Sequence, residues 1–357
     1  MKKKIITIAI SIIFMFSIMI YGATMSHITY ANTSNSAEIV MELNTNRVVH
    51  SVNQNEKKFM ASTTKILTAI TIIENCNLSD IVDIKKETTG IEGSSIYLEA
   101  GEKLSVEHLL YGLMLRSGND CAETLAVHCS GNIKDFAILM NKTAVKIGAK
   151  NSNFVNPHGL HNENHYTTAY DLALISCYAM KNPTFREIVG TKSIKIPFTT
   201  KNYDRYLVNK NKMLNEFEGC TGIKTGYTKK AGRCLVSSAK RNGTEFICVV
   251  LNCPPMFEKS KILLSSAFTN YQNYKIMESD HIVGFIDVDG VKCGAYIKND
   301  IILPLTKFEK ENLNIVVELP KKLKKPIKKD QQVGYVKIYY QNNLLFTEKI
   351  YSILDVK

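Results

Sequence analysis

The apolar positions along this chain recur with two different periods, and each change of period marks a boundary. Lys2, Lys3 and Lys4 precede an apolar run over residues 5–20, and small residues follow at Ala23 and Ala31. A basic start, an apolar stretch and a small-residue end describe a secretory leader. Cleavage after Ala31 is preferred because Thr29, two places earlier, is also small; for Ala23 the matching place holds bulky Tyr21. A retained anchor is the alternative, since the run is near the lower limit for a membrane span. The leader is expected to occupy residues 1–31. Residues 38–42 and 47–50 then flank Asn44-Thr45-Asn46, a strand–turn–strand signal. From Ser62 the period lengthens: Ile66, Ala69, Ile70 and Ile73 recur at three and four residues, one face of a helix. Further helices are predicted over 106–115, 122–129, 136–148 and 168–180, the last with Asp171 in its first turn.

From Thr221 the short period returns. Residues 221–226, 233–239 and 245–251 read as three consecutive strands, the last two joined by a two-residue turn at Asn242-Gly243. In such a hairpin Cys234 faces Leu251 and Cys248 faces Ser237, so these two thiols do not bridge. Residues 259–274 go back to helix. Beyond Ile276, β-rich runs at 282–288, 295–303, 313–319 and 333–340 are separated by turn residues, with no helix signal. The expectation is an α+β chain. A domain over 36–275 would combine a helical cluster with an antiparallel sheet whose first and last parts are distant in sequence. A smaller all-β domain would follow over 276–357.

Composition narrows the partners. With 45% hydrophobic and 22% charged residues the chain is ordinary globular material. Its formal net charge of +12 suits an anionic polymer or membrane surface, or simply a basic soluble protein. Nucleic acid is not expected, because the basic residues are scattered and no binding motif accompanies them. The densest basic stretch, 321–329, reads plainly as a solvated loop and functionally as an electrostatic contact with wall or membrane anions. Nine dispersed cysteines show no disulfide framework and are expected to be mostly buried free thiols.

Three short patterns carry the candidate chemistry: Ser62-Thr63-Thr64-Lys65, Ser117-Gly118-Asn119 and Lys224-Thr225-Gly226. Each alone is weak, since Ser237-Ser238-Ala239-Lys240, Ser130-Gly131-Asn132 and Ser51-Val52-Asn53 match the first two patterns as well. Position separates them. Ser62 and Lys65 open a helix, where residues three apart share a face and the amine can reach the hydroxyl. Ser237 and Lys240 lie on a strand, where an odd separation sends them to opposite faces. Ser117-Gly118-Asn119 breaks two apolar helices, whereas Ser130-Gly131 ends one, with Gly131 a natural cap. Lys224-Thr225-Gly226 lies on a strand followed by a turn.

In this order the three patterns resemble the signature of penicillin-binding proteins and serine β-lactamases. The surrounding segments Asn156-Pro157-His158-Gly159-Leu160, Thr168-Ala169-Tyr170-Asp171 and Asn209-Lys210-Asn211-Lys212 are similar to those of the low-molecular-mass penicillin-binding proteins, the serine D-alanyl-D-alanine carboxypeptidases. The resemblance covers most of 36–275, and the β-rich tail is similar to the family's smaller second domain. It implies a β-lactamase-like catalytic domain. Ser62 would be the nucleophile that removes the terminal D-alanine of a peptidoglycan stem peptide ending in D-Ala-D-Ala, with β-lactams as covalent inhibitors and no cofactor. Lys65 would be the general base. A free lysine titrates near ~10.4, so burial and the neighbouring cation Lys224 would have to lower its pKa. Ser117 would relay protons, Asn119 would hold the substrate amide and Lys65, and the backbone N–H groups of Ser62 and Tyr227 would bind the oxyanion. Lys224, Thr225 and Gly226 would receive the substrate's free carboxylate.

His158, His161 and His165 invite a zinc reading, but no His-Glu-x-x-His helix is present and the loop is polar, so no metal is expected. His158 is left as an accessory to deacylation or a brace for its loop. The rivals to a carboxypeptidase are a serine β-lactamase, for which no acidic residue stands out as a water-activating base, and an inactive wall-binding scaffold, against which all three intact patterns speak.

Overall fold

The computed structural model describes residues 35–357; the expected leader over 1–31 lies outside them. Strand β1 (Ala37–Glu42) turns back into β2 (Val48–Val52). A 3-10 turn at Ala61–Thr64 runs straight into α1 (Lys65–Asn75), so the helix expected from Ser62 begins as a tighter turn. The short strands β3 (Ile81–Asp83) and β4 (Lys103–Ser105) pair and bracket a long loop. Then come α2 (Val106–Leu115), α3 (Asn119–Ser130), α4 (Ile133–Ile147), α5 (Ala169–Met180) and α6 (Pro183–Gly190). Ser105, Asn132, Thr168 and Asn182 each cap the helix that follows by accepting a backbone N–H, which is why these helices start where they do. Gly131 and Gly148, both at positive φ, end α3 and α4.

A hairpin of β5 (Ser193–Ile196) and β6 (Arg205–Val208) and the short α7 (Met213–Glu216) lead into β7 (Cys220–Thr228), β8 (Gly232–Arg241) and β9 (Thr244–Leu251). The five-stranded sheet has the order β2-β1-β9-β8-β7, antiparallel throughout. The first strands therefore close on the last. The Asn242-Gly243 turn sets the expected register, with Ser237 opposite Cys248. Every residue of β9 is buried, because both faces are covered. Ile247, Val249 and Leu251 pack with the helices, while Phe246, Cys248 and Val250 pack under α8 (Met256–Asn270).

Four expectations need correction past this point. Helix α8 stops at Asn270 rather than running to 274, because Tyr271 is extended and β10 (Gln272–Met277) pairs with β13 (Ile301–Leu305). The strand that the sequence reading divides at 275/276 thus belongs whole to the second sheet system. The run read as one strand over 295–303 is two, β12 (Val291–Tyr296) and β13, broken where Asp300 accepts the backbone N–H of Ser279. A five-residue helix, α9 (Lys307–Glu311), is fixed by a Thr306–Glu309 capping box and is too short to leave a periodic signal. Finally, β17 (Asn343–Ser352) went unnoticed. It joins a six-stranded sheet with β11 (Ile282–Val288), β12, β14 (Leu313–Glu318), β15 (Lys322–Leu323) and β16 (Gln332–Tyr340). This module has its own core around Ile286, Val336, Ile338 and Ile350. Arg47 reaches across to it, meeting the Pro304 carbonyl and the Glu309 carboxylate. All nine cysteines are free, and six of them are buried.

Candidate active site

Three chain segments converge at the N-terminal end of α1. The 3-10 turn presents Ser62 half-buried and hands over to Lys65, whose side chain is fully buried. Strand β7 passes directly over this turn. A Cβ on Gly226 would stand 3.1 Å from the Met60 carbonyl oxygen and from the backbone nitrogens of Ser62 and Thr63, so the strand can approach only where the side chain is missing. On the other side, Gly159 at φ +86° packs so closely that a Cβ there would lie 1.9 Å from the Ala61 carbonyl oxygen. Ser117 occupies the turn between α2 and α3 at a left-handed φ of 64°, is buried, and brings Asn119 to the first position of α3.

Lys65 is the centre of the hydrogen-bond geometry. Its Nζ lies 2.7 Å from Asn119 Oδ1, 2.7 Å from the His158 carbonyl oxygen and 3.2 Å from Ser62 Oγ. The Asn119 orientation follows from its partners: its Nδ2 donates to the Glu92 carbonyl at 2.5 Å, leaving its oxygen for the lysine. Two of the three Lys65 partners can only accept. A neutral amine has two N–H bonds, and both must go to those acceptors. In that neutral state the lone pair would be left for the remaining neighbour, the Ser62 hydroxyl. Burial pushes the Lys65 pKa well down, and the positive charge of Lys224 pushes it further. Lys224, also buried, is pulled down to about 7 by burial and by Lys210, and donates to the Thr225 carbonyl at 2.9 Å.

The structure thus joins Ser62, Lys65 and Asn119 by direct hydrogen bonds and brings Lys224 within electrostatic reach of Lys65. Among the described residues no hydrogen bond links the Ser117 hydroxyl to either lysine. Thr225 is half-buried, and Tyr227 is 60% exposed. The decoys separate as position implied: Ser237 is buried and Lys240 exposed. The three histidines diverge. His158 Nε2 lies 3.3 Å from Glu123 Oε1, His161 sits beside Glu163, and His165 Nε2 meets Thr64 Oγ1 at 2.8 Å. Burial drives the His165 pKa down to about 3. Its Nδ1 accepts the Val155 N–H, which fixes it as a neutral buttress behind the first turn.

Several supports were not foreseen. The buried Asp120 carboxylate accepts from Ser95 Oγ and from the backbone N–H groups of Ile96, Leu98 and Cys121. It pins the loop over 94–98, whose Ser94 carbonyl in turn accepts the Asn119 N–H. Lys210 Nζ lies 3.1 Å from Ser94 Oγ. Asp120 follows the Ser117-Gly118-Asn119 pattern and Lys210 lies within the 209–212 segment, but nothing local announces their partners.

Comparison with known proteins identifies the family. The family model for D-alanyl-D-alanine carboxypeptidase matches residues 24–254, and that for the penicillin-binding protein 5 C-terminal domain matches residues 271–357. The D-alanyl-D-alanine carboxypeptidase DacF of Bacillus subtilis is 30% identical over 334 residues, covering 89% of this chain and 85% of that protein. DacA of Haemophilus influenzae is 32% identical, covering 85% and 80%. Among solved structures, penicillin-binding protein 5 from Haemophilus influenzae superposes with a TM-score of 0.78 at 26% identity, covering 89% of this chain and 96% of that one. The chain therefore belongs to the serine D-alanyl-D-alanine carboxypeptidases, penicillin-binding hydrolases of the cell wall that work through an acyl-enzyme.

Proposed function

We propose that Ser62 is the acylated residue and that this chain trims the terminal D-alanine from stem peptides ending in D-Ala-D-Ala. The observation that carries the reading is the contact set of Lys65 Nζ, with two pure acceptors at 2.7 Å and Ser62 Oγ at 3.2 Å. Lys65 takes the Ser62 proton as Oγ attacks the carbonyl carbon of the penultimate D-alanine. The oxyanion is received by the backbone N–H groups of Ser62 and Tyr227, a role supported by the close passage of Gly226, the residue before Tyr227, over the Ser62 nitrogen; losing one such donor typically costs ~3–4 kcal/mol. Collapse breaks the C–N bond, and the proton passes from Lys65 through Ser117 to the departing amine. Water then releases the acyl group. Asn119 orients Lys65 and the substrate amide, and Lys224 with Thr225 and Gly226 binds the terminal carboxylate, which restricts cleavage to a C-terminus. The test is D-alanine release from a D-Ala-D-Ala peptide together with labelling by a fluorescent penicillin. Stable labelling with release supports the reading, and rapid loss of label points to a β-lactamase.

Residues 1–31 form an export leader removed after Ala31, so the enzyme works on the outer side of the membrane. The catalytic domain, expected over 36–275, ends before β10, which opens the β module at Gln272 by pairing with β13. The exposed lysines between 321 and 329 make a second, electrostatic contact with anionic wall polymer or the membrane surface.

Lys224 provides a test with opposite signs for function and stability. Replacing it with Gln removes the charge that meets the carboxylate and should slow D-alanine release roughly 10- to 100-fold. Its folded pKa of about 7 lies below the unfolded ~10.4, so the unfolded chain holds more protons between these values. Stability therefore rises with pH across that window. Lys224→Gln should melt above wild type below pH ~7, with the gap closing towards pH ~10. A melting temperature that falls in parallel with activity removes the carboxylate-binding role.

A further inference from the structure

Behind His158 stands a residue that the reaction outlined above does not use. Glu123, on the second turn of α3, puts Oε1 3.3 Å from His158 Nε2, with the two side chains 20% and 8% exposed. The other ring nitrogen of His158, Nδ1, accepts the Leu160 backbone N–H at 3.1 Å. The neutral ring therefore carries its proton on Nε2 and donates it to Glu123. Both nitrogens are engaged, so neither is free to activate water. What the ring holds is the turn at 156–160. Asn156 Oδ1 accepts the Gly159 N–H at 2.7 Å, and Asn156 Nδ2 donates to the Leu160 carbonyl at 3.0 Å. That turn presents the His158 carbonyl to Lys65 Nζ at 2.7 Å.

We propose that Glu123 is a positioning residue: by accepting the His158 Nε2–H it locks the ring and the 156–160 turn, so that the His158 carbonyl holds one N–H of Lys65 and aims its lone pair at Ser62. The proposal rests on Lys65 acting as the base. The groups facing the imidazole are Glu123 from α3, Lys65 from α1 and His165 from the adjoining loop. Burial and Lys65 keep His158 below its ordinary pKa, against the pull of Glu123. Protonating Nδ1 would set an N–H against the Leu160 N–H and open the turn.

The experiment is acylation of the full chain by a fluorescent penicillin, followed against pH for wild type, Glu123→Ala and Glu123→Gln. Loss of the acceptor in Glu123→Ala should slow acylation roughly 10- to 100-fold. It should also move the acid limb of the profile downward, because a lysine that loses a carbonyl acceptor is easier to deprotonate. Gln offers the same acceptor oxygen and should recover the plateau to within about threefold. An unchanged profile in Glu123→Ala, or equal losses in Ala and Gln, overturns the proposal. If Glu123→Ala does not fold, 15N spectra of the wild-type histidines decide. A proton on Nε2 of His158 is expected, and one on Nδ1 overturns the lock. Failure of the catalytic reading itself would show separately, as penicillin labelling that survives Ser62→Ala.

Discussion

Ser62→Ala is expected to abolish both penicillin labelling and D-alanine release, with a loss on the order of 10⁴-fold or more. Alanine leaves the first turn sterically undisturbed. The site is half-buried and the hydroxyl's one direct partner among the described residues is Lys65, so folding should be nearly unaffected and the loss assignable to chemistry. The matched control is Ser237→Ala. That serine belongs to a Ser-x-x-Lys of its own but lies buried within β8, opposite Cys248, while Lys240 is exposed. Labelling and release should remain at wild-type levels. The pair of variants asks whether geometry or letters identify the nucleophile. Equal labelling of wild type and Ser62→Ala, or loss on Ser237→Ala in a protein that still melts normally, would remove Ser62 from the mechanism.

Much of this was legible before any coordinates, for identifiable reasons. The stripe of Ile66, Ala69, Ile70 and Ile73 specifies one face of α1 because a single core covers it. Asn242-Gly243 specifies a hairpin register because few residues tolerate both turn positions. From these two features the place of Ser62 and Lys65 follows, and so does the contrast with Ser237 and Lys240. The β module was less legible. Its strands are half-exposed, its helix α9 is five residues long, and β10 owes its state to pairing with β13 rather than to its own pattern. At the site, contacts between distant segments left no local trace. Glu123 meets His158 across 35 positions of sequence, and Asp120 gathers donors from a loop over 20 residues earlier. The same holds for the Asn119–Glu92 contact. Sequence spacing reveals partners that share an element; it is silent on partners that meet only because the core has folded.

Lys65→Arg should reduce acylation by on the order of 10³-fold or more while keeping the positive charge. A guanidinium does not give up its proton in a protein and has no lone pair to turn towards Ser62. It is also broader than the amine that the Asn119 oxygen, the His158 carbonyl and Ser62 enclose. The wild-type profile supplies the complementary evidence. Because burial and Lys224 hold the Lys65 pKa well below its ordinary value, the neutral, reactive amine accumulates well below pH ~10.4. Acylation should therefore rise with pH through an acid limb and level off before the alkaline range. Taking away the charge of Lys224 in Lys224→Gln lifts the Lys65 pKa, so the limb should move to higher pH. Two results would count against a lysine base. One is a rate climbing tenfold per pH unit up to about pH 10, the behaviour of an unshifted lysine. The other is an arginine variant that acylates at the wild-type rate, which would mean that charge alone, and not proton abstraction, is what residue 65 supplies.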